Sequence, residues 1–201
     1  MSGVLAGILL FASFIHQTAP LFYLAIGGLS FAALILGYSI RHISFLPAFG
    51  ISKLNRKTLL YTIPAILTGL FFGMLTRNKF GLPLLPTTFG TLVLVSPIIG
   101  AFEEIVFRGY IQGHLRPVGR NFSLLSASAA HTGYKALVII TLASPLQFDL
   151  FFLVVWTFIG GTVFGVLREL SGSVIPPVIA HMVFDVILYG SLSVTPVWVW
   201  S

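Results

Sequence analysis

The stretch "GAFEEIVFRGY", Gly100 to Tyr110, sets two adjacent carboxylates and an arginine inside an apolar run. A charge in a lipid-facing or buried segment costs a few kcal/mol on insertion scales, so Glu103, Glu104 and Arg108 need a reason to be there. The surroundings give the fold class. The chain is 57% hydrophobic and 8% charged over 201 residues, with a mean hydropathy of +1.02. Soluble domains carry about 25% charged residues. Apolar runs recur from end to end, which predicts an all-α, polytopic integral membrane bundle. The length suits one membrane domain over 1–201, with no separate soluble part.

Seven apolar segments are expected to span: 3–15, 20–40, 58–75, 88–112, 123–143, 148–168 and 173–195. The first is short, so the count reads as about seven, or eight. With no basic region before it, it is expected to be a membrane helix rather than a cleaved signal. Lys and Arg sort by side. Arg41, Lys53, Arg56, Lys57, Arg108, Arg116, Arg120 and Arg168 fall at one side, Arg77 and Lys79 at the other, and Lys135 inside a span. The basic side is expected to be cytoplasmic. This placement, rather than nucleic-acid binding, explains the net charge of +6. Cysteine is absent, which excludes disulfides, thiolate nucleophiles and cysteine metal sites.

Within the spans the ionisable residues are Glu103, Glu104 and Arg108, then His131 and Lys135, then His181 and Asp185. At about 1.5 Å per helical residue, Glu103, His131 and His181 all fall roughly 12–14 Å from the basic side. Lys135 and Asp185 form a second layer, each four residues past a histidine and on its helical face. Asp149 and Glu169 lie near span ends, and His16, His42 and His114 lie in links; these are expected to be bystanders. Arg108 stands four residues after Glu104, the spacing of an ion pair, which leaves Glu103 to point at the histidines. A desolvated carboxylate is a good general base, and histidines can hold a water or stabilise an oxyanion. Two histidines and a glutamate could also hold zinc, although no HExxH spacing marks such a site. "GGTVFG", Gly160 to Gly165, has the small-residue spacing of close helix packing.

These residues resemble the CPBP family, the CAAX proteases and bacteriocin-processing enzymes (also called the ABI or type II CAAX prenyl endopeptidase family). "EEIVFR", Glu103 to Arg108, matches its EExxxR motif. "ASAAH", Ala127 to His131, stands at its FxxxH motif, and "FGVLRELSGSVIPPVIAHMVFDVI", Phe164 to Ile187, resembles its closing block. The resemblance spans about the last 100 residues, with 85–195 as the family-like core. It implies an intramembrane endopeptidase working with a glutamate-activated water; beside it, water activation by Glu and His alone, without a cofactor, is the more economical reading of these residues than zinc. Glu103 would be the base assisted by His131, His181 and Asp185 the oxyanion pair, and Glu104 with Arg108 the support.

Two departures stand out. Ala127 replaces the usual Phe beside His131. Asp185 stands where Asn is frequent, and an ionised Asp can only accept a hydrogen bond. Lys135 is therefore expected to pair with Asp185 across two spans, in a supporting role. The expected activity is cleavage of a membrane-associated peptide or protein, lipidated or not, from the cytoplasmic side of the plasma membrane. The competing readings are a non-catalytic scaffold or immunity protein of the same fold and, last, a transporter, for which paired broken helices are missing.

Overall fold

In the computed structural model, residues 7–8, 50, 55–90, 92–140 and 149–192 are described, and every regular element among them is helical. The helices are α1 (Arg56–Lys79), α2 (Leu92–Glu104), a π-helical stretch (Ile105–Ile111), α3 (Gln112–Leu115), α4 (Arg120–Ile140), α5 (Leu150–Ser171) and α6 (Ile175–Tyr189). The run from α2 through the π stretch to α3 is continuous, so these elements form five rods. They coincide, within a few residues, with the five expected spans from 58 onward. The expected spans 3–15 and 20–40 lie outside the described residues, apart from Gly7 and Ile8.

Two rods, α1 and α5, are long and apolar enough to cross a membrane by length and composition; α6 is a shorter apolar helix. Leu60, Ile63, Leu67 and Phe71 follow one another along one face of α1 and stay exposed. An apolar face turned outward is what a helix needs when its solvent is lipid.

Local chemistry sets the rod ends. Asn55 caps α1, its side chain accepting from the Thr58 N–H at 2.8 Å. Asp149 caps α5 by accepting from the Phe152 N–H at 2.9 Å. Gly172, with φ of 72°, closes α5 in the left-handed conformation. Pro176 and Pro177 occupy the first turn of α6, where their missing N–H groups go unneeded.

α1 and α6 run in the same direction and pack very closely. A Cβ on Gly73 would lie 2.8 Å from Ile187 Cβ. Arg77, read from the sequence as a link charge, is in fact fully buried at the far end of this pair. Its Nη1 donates to the carbonyls of Ile187 and Leu188 at 3.1 Å each, and its Nε donates to the Pro83 carbonyl. A cation thus satisfies carbonyls that the end of α6 leaves open.

Candidate active site

Glu103 and Glu104 end α2, and the π stretch carries Arg108. Stretches of π-helix are rare and concentrate at functional sites. α4 supplies His131 and Lys135, and α6 supplies His181 and Asp185. All seven residues are buried, and their polar groups meet between the three rods.

Arg108 Nη1 donates to Glu104 Oε1 at 3.1 Å, the i,i+4 pair, and also contacts His131 Nδ1 at 2.8 Å. Arginine has only donors, so His131 Nδ1 must accept. The ring proton therefore sits on Nε2, which donates to Glu103 Oε2 at 3.1 Å. Glu104 does the reverse for the other histidine. Its Oε1 accepts from His181 Nδ1 at 2.8 Å. His181 Nε2 then faces Glu103 Oε2 at 3.8 Å and Asp185 Oδ1 at 3.9 Å, both beyond hydrogen-bond length. The Glu104–Arg108 pair thus sets the role of Nδ1 on both imidazoles, in opposite senses: acceptor on His131, donor on His181.

Lys135 departs from the expected pairing. Its Nζ meets Glu103, 2.9 Å from Oε1 and 2.8 Å from Oε2, rather than joining Asp185. The second layer drawn from sequence therefore folds back onto the first. Phe107, from the motif itself, stacks on His131 with ring centroids 4.5 Å apart. The aromatic support that Ala127 does not provide comes from a different rod.

Packing glycines seat the cluster. A Cβ on Gly161 would lie 2.6 Å from Arg108 Nη2, and one on Gly165 3.1 Å from Gln112 Oε1. Gly100 leaves room for the His181 ring and Asp185, since a Cβ there would lie 2.8 Å from His181 Cδ2. Glu169 is no bystander. Its buried carboxylate gathers Arg116 at 2.9 Å, Arg168 at 3.3 Å and Arg120 at 3.8 Å, and accepts from Gln112 Nε2 at 3.1 Å. It anchors the motif rod to α5 at the basic end. His114 stacks beside Tyr110 at 5.8 Å, while His16 and His42 lie outside the described residues.

A cavity of about 100 Å³ reaches His131, Lys135 and His181 and is otherwise lined chiefly by apolar and aromatic side chains of α1, α5 and α6, among them Phe72, Trp156, Phe164 and Phe184. It extends toward Phe80 and Phe152, away from the basic end where access was expected. Among the described residues no group of three or more His, Asp or Glu is disposed to hold a metal ion. On His131 one ring nitrogen accepts a hydrogen bond from Arg108 and the other donates to Glu103.

A buried base, two oriented histidines and an apolar cavity can hold and activate a water beside a lipid-embedded peptide. The type II CAAX prenyl endopeptidase Rce1-like family matches residues 83–187, more than half of the chain. The chain belongs to that family. It is therefore a membrane protein of a CAAX-type intramembrane protease family, whose substrates are membrane-associated proteins. No curated protein and no solved structure matched it. The match covers every residue of the cluster, whereas the residues before 83 rest on their apolar character alone.

Proposed function

We propose that this protein is an endopeptidase in which Glu103 activates a water to cleave a peptide bond within the membrane. The observation that carries the reading is the 3.8 Å separation of Glu103 Oε2 and His181 Nε2, which face each other beyond hydrogen-bond length with the cavity beside them. A water between them can donate to Glu103, which aims an oxygen lone pair at a carbonyl in the cavity. His131 holds the Glu103 carboxylate in place, and Asp185 Oδ1 is a further acceptor beside His181. Protein groups alone perform this chemistry, with no cofactor assigned a step.

The cavity suits an apolar chain next to the scissile bond, in keeping with a lipidated substrate. The basic end, with Arg56, Lys57, Arg116, Arg120 and Arg168, is read as cytoplasmic and the membrane as the plasma membrane. The span count is read from the hydropathy of the whole sequence as about seven, or eight.

The test compares cells making wild type with cells making Glu103→Ala at equal membrane abundance, with new peptide termini profiled by mass spectrometry. Termini that require Glu103 support the protease. If both versions rescue the same deletion phenotype and no terminus differs, the carboxylate is structural and the proposal fails.

A further inference from the structure

Peptide hydrolysis by an activated water makes one further demand on the site. As the C–O bond forms, the carbonyl oxygen gains a negative charge, and a buried site must meet it with a donor. Asp185 in its ionised form offers only lone pairs. The Nδ1 proton of His181 is committed to Glu104, and the Nε2 proton of His131 is directed at Glu103. Arg108 Nη1 serves Glu104 and His131, and its Nε and Nη2, which have no hydrogen-bond partner among the described residues, belong to a fully buried side chain that does not line the cavity.

Lys135 is differently placed. Its ammonium lies 2.8–2.9 Å from both Glu103 oxygens and lines the cavity alongside His131 and His181. It therefore touches the base and borders the space in which the carbonyl must sit.

We propose that Lys135 is a catalytic residue, its ammonium pairing with Glu103 in the resting site and passing to the substrate carbonyl oxygen as that oxygen becomes anionic. The proposal rests on the hydrolase reading above. The steps balance. The water gives a proton to Glu103, its oxygen bonds to the carbonyl carbon, and the C=O π pair moves onto the carbonyl oxygen. Glu103 thereby loses its charge when the oxyanion gains one, so the ammonium exchanges one anionic partner for another without crossing the site. The oxyanion then reforms C=O, the C–N bond breaks, and the leaving nitrogen takes the proton from Glu103. The products are an acid and an amine, and Glu103 is again the partner of Lys135. A cation paired in both states needs no desolvated, uncompensated interval, which would be costly at this depth. The donor that a position-185 Asn would supply is thus supplied from α4.

The test uses full-length protein in lipid vesicles, a fluorogenic farnesylated peptide ending in a CAAX sequence, and the phosphinate analogue of that peptide. Wild type and Glu103→Ala are run first. Cleavage that requires Glu103 establishes the base, and no cleavage by wild type refutes the hydrolase reading and this assignment with it. Given cleavage, Lys135→Met is expected to lower kcat by on the order of 10²-fold or more, the usual effect of removing one oxyanion donor. KM should stay within about threefold, while phosphinate affinity falls by the same factor as kcat/KM. Lys135→Arg, which keeps a cationic donor, should recover part of kcat and of phosphinate binding. If Lys135→Met does not accumulate, Lys135→Leu, which likewise has no donor, gives the same comparison. A raised KM with kcat intact, or a lost kcat with phosphinate affinity unchanged, overturns the assignment and leaves Lys135 as a holder of Glu103.

Discussion

Gly100→Ala tests whether the site depends on the close approach of α2 and α6. The added Cβ would lie 2.8 Å from His181 Cδ2 and 3.0 Å from His181 Cγ, with Asp185 Oδ2 also against it. Carbon atoms in contact sit about 3.5–4.0 Å apart, so the ring must retreat by roughly 1 Å. Both neighbours are buried side chains at the centre of the cluster, and overpacking of that kind costs about 1–3 kcal/mol. The intrinsic helix preference of alanine over glycine returns about 1 kcal/mol, so net destabilisation should be small. Activity should fall much further. His181 Nδ1 donates to Glu104 at 2.8 Å, and a retreat of 1 Å breaks that bond and moves Nε2 away from Glu103. A misplacement of this size costs about 10²-fold in rate. The assay pairs thermal unfolding in detergent with the rate of Glu103-dependent terminus formation. Gly133→Ala on α4 is the control, since a Cβ there meets nothing within 4 Å and should leave the rate unchanged. Full activity in Gly100→Ala would refute the link between this helix contact and the histidine.

Two further outcomes are expected. Arg77→Met removes the donors to the Pro83, Ile187 and Leu188 carbonyls, so stability should drop by about 3 kcal/mol or more, read by denaturant unfolding; a change under about 1 kcal/mol would show that the carbonyls find other partners. At the same end, Lys79 lies 2.7 Å from Asp149 and, together with the Phe152 N–H, holds its carboxyl below the usual carboxylate range. Stabilisation by a lowered folded value is present above about pH 4 and is lost as pH falls through that folded value. The difference in unfolding temperature between wild type and Asp149→Asn should therefore shrink on acidification below about pH 4, and a pH-independent difference would contradict it.

The five described rods were legible because hydropathy and the spacing of charges act along the chain, one segment at a time. The identity of the polar cluster was legible for the same reason, since each charge in an apolar run stands out by its cost. Partner choice was not. Depth along a helix locates a Cα, whereas Lys135 has a four-carbon stem that spans the one turn, about 5.4 Å, separating it from the His131 layer. Its ammonium therefore lands on Glu103 instead of Asp185. The π stretch has no signature in the sequence that separates it from a regular turn. Glu169 looked peripheral because its number lies near a span end. Its side chain is nevertheless buried, because Gln112 and Arg116 of the motif rod close over it, with Gly165 letting Gln112 come near α5. Phe107 could have been noticed, since it sits between the two ends of "EEIVFR", but the ring it would support lies on another helix.

The Glu104–Arg108 pair is fully buried, and a buried ion pair contributes little net stability because desolvation offsets attraction. Its placement shows what else it does. A neutral imidazole has two tautomers, and the one present follows from what its other nitrogen meets. Arg108 can only donate, so it makes His131 a donor toward Glu103, while Glu104 accepts from His181 Nδ1 and fixes the orientation of that ring. One histidine thus restrains the Glu103 carboxylate while the other is held with its Nε2 facing it. An apolar pair of the same volume could hold the helices equally well, but it would leave both rings free to choose. Opposite roles for the two Nδ1 atoms, acceptor on one helix and donor on another, account for an acid and a base side by side where either alone would be an uncompensated charge.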